Sequence, residues 1–228
     1  MNVSLTLDQR FCGPPDSGNG GYTAGLVAGH CAWPAVTVTL RTPPPLETPL
    51  RLATAEAAAD TAEVRYGDVL VAQATEGSLD TAPVPAVSLD EALAVRDGYP
   101  GFTRHPFPTC FVCGPKRDEG DGLRIFPGRI SDGRTAAVWR VPADVTAPMV
   151  WAALDCPGGW TNDLEVNPRL LGRLTGQVRQ MPHPGEDCLV MGRLDHSEGR
   201  KATVTTTLYG PAGEVLARAA AVWISIAR

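Results

Sequence analysis

The sequence predicts an α+β protein made of two similar halves, each a curved antiparallel sheet wrapped around one long helix. The first observation is a repeat, since a helical segment followed by alternating, β-branched strand segments occurs twice along the chain. The second is size, because 228 residues with 43% apolar content can bury two small cores. A sheet that is apolar on one face must cover that face, and the helix of each half supplies the covering layer.

The first half opens with a glycine-rich stretch, DSGNGGYTAGLVAGH, at residues 16–30. Three glycines precede its apolar helical run. Ordering a glycine costs roughly 0.5 to 1 kcal/mol of conformational entropy. We therefore expect that the glycines are needed here because another group, from the protein or from a ligand, approaches the backbone. The predicted strand AVTVTLRTPPP follows and ends in prolines. Three further strands are predicted in the segments LRLATAEAA and TAEVRYGDVLVAQATEG, with a turn at Tyr66-Gly67-Asp68.

The second half repeats this order. The segment VWAALDCPGGW is predicted to be helical, and the strands after it are LTGQVRQMPHP, DCLVMGRLDHSEG, KATVTTTLYG and EVLARAAAVWISI. Before this helix, GLRIFPGRI and RTAAVWRVP predict a hairpin around Ser131-Asp132-Gly133. The sequence therefore indicates one structural unit that occurs twice.

A proline-rich linker separates the two halves. Within it, SLDEALAVRDG carries a capping box at Ser88 and Glu91 and ends at Gly98, which predicts a short helix strapped across the two halves. The predicted organisation is an N-terminal unit at 1–78, the linker at 79–109 and a C-terminal unit at 110–228.

Charge and composition exclude several classes of partner. The net charge is −5, and no run of Lys or Arg provides a surface for nucleic acid or for an anionic membrane. No export signal and no membrane-spanning stretch is evident, so a cytoplasmic protein with six free thiols is expected. A small-molecule partner fits this composition best.

The repeat also bears on the oligomeric state. Two fused units can pair their sheet edges within one chain, as two separate units would in a dimer, so a monomer is the simplest expectation and a larger homo-oligomer is the alternative.

Two short motifs carry a resemblance to a known family. Asn19-Gly20-Gly21-Tyr22 matches the helix opening of the acyl-CoA thioesterase II-like branch of the acyl-CoA thioesterase superfamily. Ala153-Leu154-Asp155 is similar to the acidic phrase of the phenylacetyl-CoA thioesterase type. The resemblance implies a tandem, or double, hotdog fold and hydrolysis of an acyl thioester. Non-catalytic acyl binders and hydratases or dehydratases share this fold and remain alternatives, although a hydratase needs a histidine near the helix start, where the sequence has none.

The two halves are complementary at the predicted site. Seven residues after Gly21 stands Ala28 rather than an acid, and seven residues before Asp155 stands Pro148 rather than a glycine. One composite site is therefore expected, in which Asn19, Gly20 and Gly21 offer backbone N–H groups to an oxyanion and Asp155 acts as general base or nucleophile.

Two structural interpretations of these residues are alternatives to a catalytic site. Asp155 can cap a helix that begins at Pro157, and the glycines can form an ordinary turn.

Further residues are assigned to substrate binding. Tyr22, Trp151 and Trp160 are expected to line an apolar acyl pocket. Arg117 and Arg124 are expected at the pocket mouth, where they would hold the phosphates of coenzyme A, unless they belong to a solvated loop. Whether the carrier is coenzyme A or a protein is left open. No cofactor is expected.

The motif Cys110-x-x-Cys113 followed by glycine resembles one zinc knuckle. It lacks a second cysteine pair, although Cys12 or His105 could join it across the halves. A redox-active dithiol is a further alternative. The preferred interpretation is a structural turn with buried thiols, so no metal is assigned.

Overall fold

The structure of the protein, a computed structural model, describes residues 2–54 and 61–226. These ranges contain eleven strands and four α-helices. The strands are β1 (Asn2–Leu5), β2 (Val36–Leu40), β3 (Leu50–Thr54), β4 (Thr61–Tyr66), β5 (Val69–Glu76), β6 (Gly128–Arg129), β7 (Thr135–Arg140), β8 (Arg169–Val178), β9 (Asp187–Glu198), β10 (Lys201–Tyr209) and β11 (Val215–Ser225). The helices are α1 (Gly20–Ala28), α2 (Leu89–Val95), α3 (Ala147–Ala153) and α4 (Cys156–Gly159).

All of these strands form one antiparallel sheet, in the order β1-β3-β4-β5-β2-β8-β11-β10-β9-β7-β6. The two halves meet where β2 pairs with β8, and Val36 to Thr39 lie opposite Gly176 to Arg173. The Thr37 and Thr175 hydroxyls share a hydrogen bond of 2.8 Å across this junction. From the junction outward, β5-β4-β3-β1 on one side matches β11-β10-β9-β7 on the other, so the predicted repeat is confirmed.

The predicted strands are found with small differences. The turn between β4 and β5 falls at Gly67 and Asp68, as predicted. Residues 55–60 of the predicted segment LRLATAEAA lie outside the described residues. The predicted hairpin is formed by β6 and β7, but only Gly128–Arg129 of GLRIFPGRI is a strand.

The central helix predicted for the first half is found, whereas the one predicted for the second half is interrupted. Helix α1 has nine residues, and the predicted second helix is divided into α3 and α4 on either side of Leu154 and Asp155. Pro157 supplies the reason, because it has no N–H to donate to the Ala153 carbonyl and its ring would clash with that carbonyl if the helix continued. The break sets Asp155 at the start of a new helix.

The linker helix is found where the sequence predicts it, but not across the two halves. The Ser88 hydroxyl caps α2 by accepting the Glu91 N–H at 3.1 Å. The helix packs on β6 and β7, both in the second half, where Ala92, Ala136 and Met191 share a small apolar cluster. The boundaries at 78 and 109 stay a prediction. Each described helix is too short or too polar to cross a membrane.

Helices α1 and α3 pack against each other at very short range. A Cβ atom placed on Gly21 would lie 2.8 Å from the Trp151 carbonyl oxygen and 3.0 Å from the Ala152 Cα. One placed on Gly25 would lie 2.6 Å from the Pro148 Cα. Real Cβ atoms do not occur at such distances from backbone, so only glycine permits this crossing. What approaches the glycines of α1 is therefore the other helix.

We expect Gly25→Ala to lower the free energy of unfolding by about 1 to 3 kcal/mol, because the added methyl group must push α1 away from α3. Gly29→Ala is the matched control, since its Cβ would meet no heavy atom closer than 3.5 Å. Urea denaturation followed by circular dichroism measures both variants. Equal stability of the two would contradict the close helix crossing.

Candidate active site

Asp155 occupies the break between α3 and α4, and its side chain turns away from the helix that it precedes. It makes no hydrogen bond to the first turn of α4. Only 2% of the residue is exposed. The structure therefore does not support the interpretation of Asp155 as a cap of its own helix.

The Asp155 carboxylate instead reaches the first turn of α1, in the other half of the protein. Its Oδ2 accepts the Gly21 N–H at 2.9 Å and the Asn19 side-chain amide at 3.2 Å. Its Oδ1 is buried and has no hydrogen-bond partner among the described residues. Burial raises the pKa of this carboxyl to about 7, although the Gly21 N–H opposes the shift by favouring the charged form.

The first turn of α1 begins with N–H groups that lack a partner inside the helix. The Tyr22 N–H donates to the Asn19 Oδ1 at 2.8 Å, and the Gly21 N–H donates to Asp155. Gly21 therefore has no N–H left for an oxyanion, contrary to the expectation from the sequence. The Gly20 N–H takes part in none of the hydrogen bonds between described residues.

A small pocket of about 50 Å³ adjoins this contact, and Asn19, Gly20 and Asp155 line it. Its wall is mainly apolar and includes Phe107, Trp160, Leu164, Leu170, Leu171 and Trp223. A β-carbon on Gly20 would lie 2.8 Å from the Leu171 side chain, so the glycine keeps this end of the pocket open.

Two of the three aromatic residues assigned to the pocket lie elsewhere. The Tyr22 ring stacks on Phe11 at 3.9 Å between ring centroids. Trp151 fills the space between α3 and the sheet, where a Cβ on Gly176 would lie 2.6 Å from its ring. Only Trp160 lines the pocket. Large aromatic side chains contribute much of the buried area of a protein core. The sequence does not distinguish an aromatic residue that lines a pocket from one that packs in the core.

The two arginines assigned to the carrier phosphates are also used elsewhere. The Arg117 guanidinium donates hydrogen bonds to the Thr109 carbonyl at 2.8 Å and to the Asp121 carboxylate at 2.8 Å. Arg124 donates to the Arg117 carbonyl at 2.6 Å and covers the Phe126 ring. Neither residue lines the pocket. Both arginines instead make hydrogen bonds within the segment from Thr109 to Arg124.

A larger groove of about 420 Å³ adjoins the pocket, and Gly20 and Leu171 line both. Two arginines, Arg41 and Arg200, line the groove, and no acidic residue does so among the described residues. Sequence reasoning missed these residues because the first lies just after β2 and the second in the turn between β9 and β10. Only the sheet brings them together.

The cysteine motif lies at the same pocket. Cys110 and Cys113 are buried, as expected, and a third buried cysteine, Cys156, joins them from the start of α4. His105 also lines the pocket. Burial lowers the pKa of His105, and its two ring nitrogens contact the Cys113 Sγ and the Phe107 N–H.

The sequence analysis assigns no role to Cys156. Its position directly after the candidate catalytic carboxylate was the one signal that it lies at the site. Cys12 stays outside the cluster and contacts Arg117 and Thr109.

The fold is that of the hotdog proteins, in a double form with one continuous sheet. A protein of unknown function with the hotdog fold from Alicyclobacillus acidocaldarius superposes with a TM-score of 0.64 at 13% identity, over 100% of this chain and 94% of that one. A protein provisionally described as a thioesterase from Novosphingobium aromaticivorans gives 0.65 at 15% identity, over 98% and 94% of the two chains. One provisionally described as a thioesterase II from Thermobifida fusca gives 0.62 at 14%, over 100% and 92%.

Two comparisons that use the sequence alone give no match. No family model matches the chain, and no curated protein matches it. The likeness is therefore one of fold.

We expect Asn19→Asp to lower the free energy of unfolding by about 1 to 3 kcal/mol. Aspartate caps a helix as well as asparagine does, but the change removes the buried amide donor from the Asp155 Oδ2 and sets a second carboxyl against it. Ser88→Asp is the control, because it makes a similar change at the exposed cap of α2 and should stay within about 0.5 kcal/mol of wild type. A folded Asn19→Asp variant as stable as wild type would exclude the amide as the donor.

Proposed function

We propose that the protein hydrolyses an acyl thioester at one composite site, where Asp155 of the second half meets the first turn of α1. One observation carries the proposal: a buried carboxylate has one oxygen held by Gly21 and Asn19 and the other unpartnered beside an apolar pocket. The names of two proteins with the same fold, each provisionally described as a thioesterase, support this reaction class.

The two oxygens of Asp155 have different tasks in this proposal. Oδ2 fixes the side chain through its bonds to Gly21 and Asn19. Oδ1 is free to take a proton from a water that attacks the thioester carbonyl, or to attack that carbonyl itself. Either route ends with the acid and the free thiol of the carrier, and one water is consumed.

The Gly20 N–H is the proposed oxyanion donor. Of the N–H groups at the start of α1, those of Gly21 and Tyr22 are already bonded to protein groups. The Gly20 group stands at the positive end of the α1 dipole and at the pocket, where it can stabilise charge that develops on the carbonyl oxygen.

The size of the pocket suggests a short acyl group. Sites for small molecules usually have volumes of roughly 300 to 1,000 Å³, whereas this pocket measures about 50 Å³. A volume this small favours an acyl group of few carbons beside Trp160, Leu171 and Trp223.

The adjoining groove suits an anionic carrier. Arg41 and Arg200 line it. The Arg200 guanidinium also donates to the Ser225 carbonyl at 2.9 Å, which fixes its position. Guanidinium groups bind phosphate through charge-assisted hydrogen bonds, and the nucleotide end of coenzyme A carries such phosphates. We infer that the substrate is an acyl-CoA whose carrier lies in this groove.

The central test is Asp155→Asn. The asparagine side chain can place its oxygen toward Gly21 and Asn19 and its amide at the free position, so the fold is retained while the base is lost. We expect kcat to fall by about 100-fold or more on a panel of acyl-CoA thioesters of 2 to 16 carbons, with release of CoA followed by chromatography. Short thioesters should be the best substrates of the wild type.

Asp163→Asn is the matched control, because Asp163 is an exposed carboxylate nearby that pairs with Arg129, and it should keep the wild-type rate. If folded Asp155→Asn hydrolyses its best substrate at that rate, the carboxylate is not the catalytic group. If the wild type binds acyl-CoA without releasing CoA, the protein is an acyl binder. Hydration of an enoyl-CoA without release of CoA would indicate a hydratase.

A second prediction tests the groove. Arg41→Gln should raise KM for the best acyl-CoA by about 10-fold, the effect of losing one hydrogen bond to a charged group. KM for the same acyl group on N-acetylcysteamine, which lacks the nucleotide, should not change. Arg51→Gln removes an exposed arginine of β3 that lines neither the pocket nor the groove and is the control. An equal rise of KM for both thioesters would contradict a phosphate contact at Arg41.

A further inference from the structure

Three buried cysteine side chains meet beside the pocket, although they come from two separate parts of the chain. Cys110 and Cys113 belong to the loop that follows the linker, and Cys156 is the first residue of α4. Their sulfur atoms all lie within 4.8 Å of one another, and those of Cys110 and Cys156 are 3.9 Å apart. Each residue is at most 4% exposed.

These distances fit a tetrahedral metal centre better than a disulfide. With Zn–S bonds of about 2.3 Å, two sulfurs at the corners of a tetrahedron are about 3.8 Å apart. A disulfide requires about 2.05 Å between its sulfurs, and all three cysteines are free thiols here.

The loop around the first two cysteines is built as a tight turn. The Gly114 N–H donates to the Cys110 carbonyl at 2.9 Å. A Cβ on Gly114 would lie 2.5 Å from the backbone nitrogen and oxygen of Cys110, so only glycine allows the turn to close. The turn directs both sulfurs toward the third, as the C-x-x-C spacing of zinc knuckles does.

Neutral N–H groups surround the sulfurs. The Trp160 indole donates to the Cys113 Sγ at 3.4 Å, and the Asn19 amide lies 3.9 Å from the Cys110 Sγ. Such N–H groups orient and stabilise thiolates at metal sites. Among the described residues, no Lys or Arg side chain donates to these three sulfurs. If the three groups are thiolates, a bound cation is therefore needed to compensate their charge.

His105 is a hydrogen-bond donor to this cluster rather than a ligand. Its Nδ1 accepts the Phe107 N–H at 2.9 Å. In the neutral ring the proton therefore resides on Nε2, which lies 3.3 Å from the Cys113 Sγ and donates to it. A nitrogen that carries a proton does not bind a metal.

We propose that Cys110, Cys113 and Cys156 bind one Zn²⁺ ion as thiolates, and that the fourth coordination position is open to the pocket. All three cysteines line that pocket together with Asp155, whose buried Oδ1 has no partner among the described residues. An exchangeable ligand in the fourth position would lie in the same pocket as this oxygen. Three protein ligands with one open position are typical of zinc sites that bind an exchangeable group. The proposal does not depend on the reaction proposed above.

The metal content of the full-length protein is the first measurement. After dialysis against metal-free buffer, elemental analysis should find about one zinc per chain. The apoprotein, prepared with a chelator under reducing conditions, should bind Zn²⁺ alone in a 1:1 ratio. With Co²⁺ as the probe it should give a thiolate-to-cobalt charge-transfer band and a tetrahedral visible spectrum. A reduced, folded protein that binds neither ion would overturn the proposal.

Variants assign the ligands. Cys156→Ser should weaken Zn²⁺ binding by about 100-fold or more, beyond the 10- to 100-fold typical of a residue that only supports a ligand. Cys188→Ala removes an equally buried cysteine of β9 outside the cluster and should bind zinc as the wild type does.

The fourth coordination position is tested separately. His105→Ala should keep the 1:1 ratio and the cobalt spectrum, whereas loss of the metal would show that the histidine is the fourth ligand. Added imidazole should shift the cobalt spectrum, and an unchanged spectrum would contradict an open position.

Should Cys156→Ser fail to fold, alkylation of the wild type gives the answer. Cys110, Cys113 and Cys156 should react with iodoacetamide much more slowly in the zinc-loaded protein than in the folded apoprotein, as mapped by mass spectrometry. Cys31, which is half-buried and outside the cluster, should react equally in both. Equal protection of all sites with and without zinc would overturn the assignment. None of these measurements uses a thioester, so their outcome is independent of the activity assays.

Discussion

The close crossing of α1 and α3 is the constraint on which the site depends. Gly21 and Gly25 stand one helical turn apart on α1, and at both positions the backbone of α3 occupies the space of a side chain. Since α3 ends at Ala153, two residues before Asp155, this crossing brings a carboxylate of the second half to the first turn of a helix in the first half. The paired strands β2 and β8 hold the two halves in this relation.

A buried carboxylate is costly unless hydrogen bonds and nearby positive charge stabilise it. Two donors, the Gly21 N–H and the Asn19 amide, converge on one oxygen of Asp155, and the positive end of the α1 dipole adds to their effect. The second oxygen has no such support within the described residues. The environment therefore distinguishes two chemically identical atoms, one that anchors the side chain and one left for a ligand.

Asn19 links the two groups of reactive side chains at this pocket. Its oxygen caps α1, and its amide nitrogen contacts both the Asp155 carboxylate and the Cys110 sulfur. The carboxylate and the thiols are thus parts of one polar cluster inside an apolar wall. The helix break before Pro157 contributes as well, because it sets both Asp155 and Cys156 at the start of α4.

The sequence by itself determined the repeat, most strand positions and the capped linker helix, because these follow from local periodicity and from turn and cap residues. It also predicted, with the help of a family resemblance, that Asn19, Gly21 and Asp155 lie at one site, and the structure brings these residues into contact. It did not determine which residues surround them. The sequence gives no reason to distinguish Trp151 from Trp160, yet of these two only Trp160 lines the pocket. The Arg117 guanidinium donates a hydrogen bond to the carbonyl of Arg10, a residue 107 positions away in the chain.

Only the tertiary structure decided that Cys156 joins Cys110 and Cys113, that Arg41 and Arg200 face one groove, and that the Gly21 N–H is already taken. The physical reason is that contacts between segments far apart in the chain depend on how the halves pair and on how closely the helices cross. No local pattern encodes those distances.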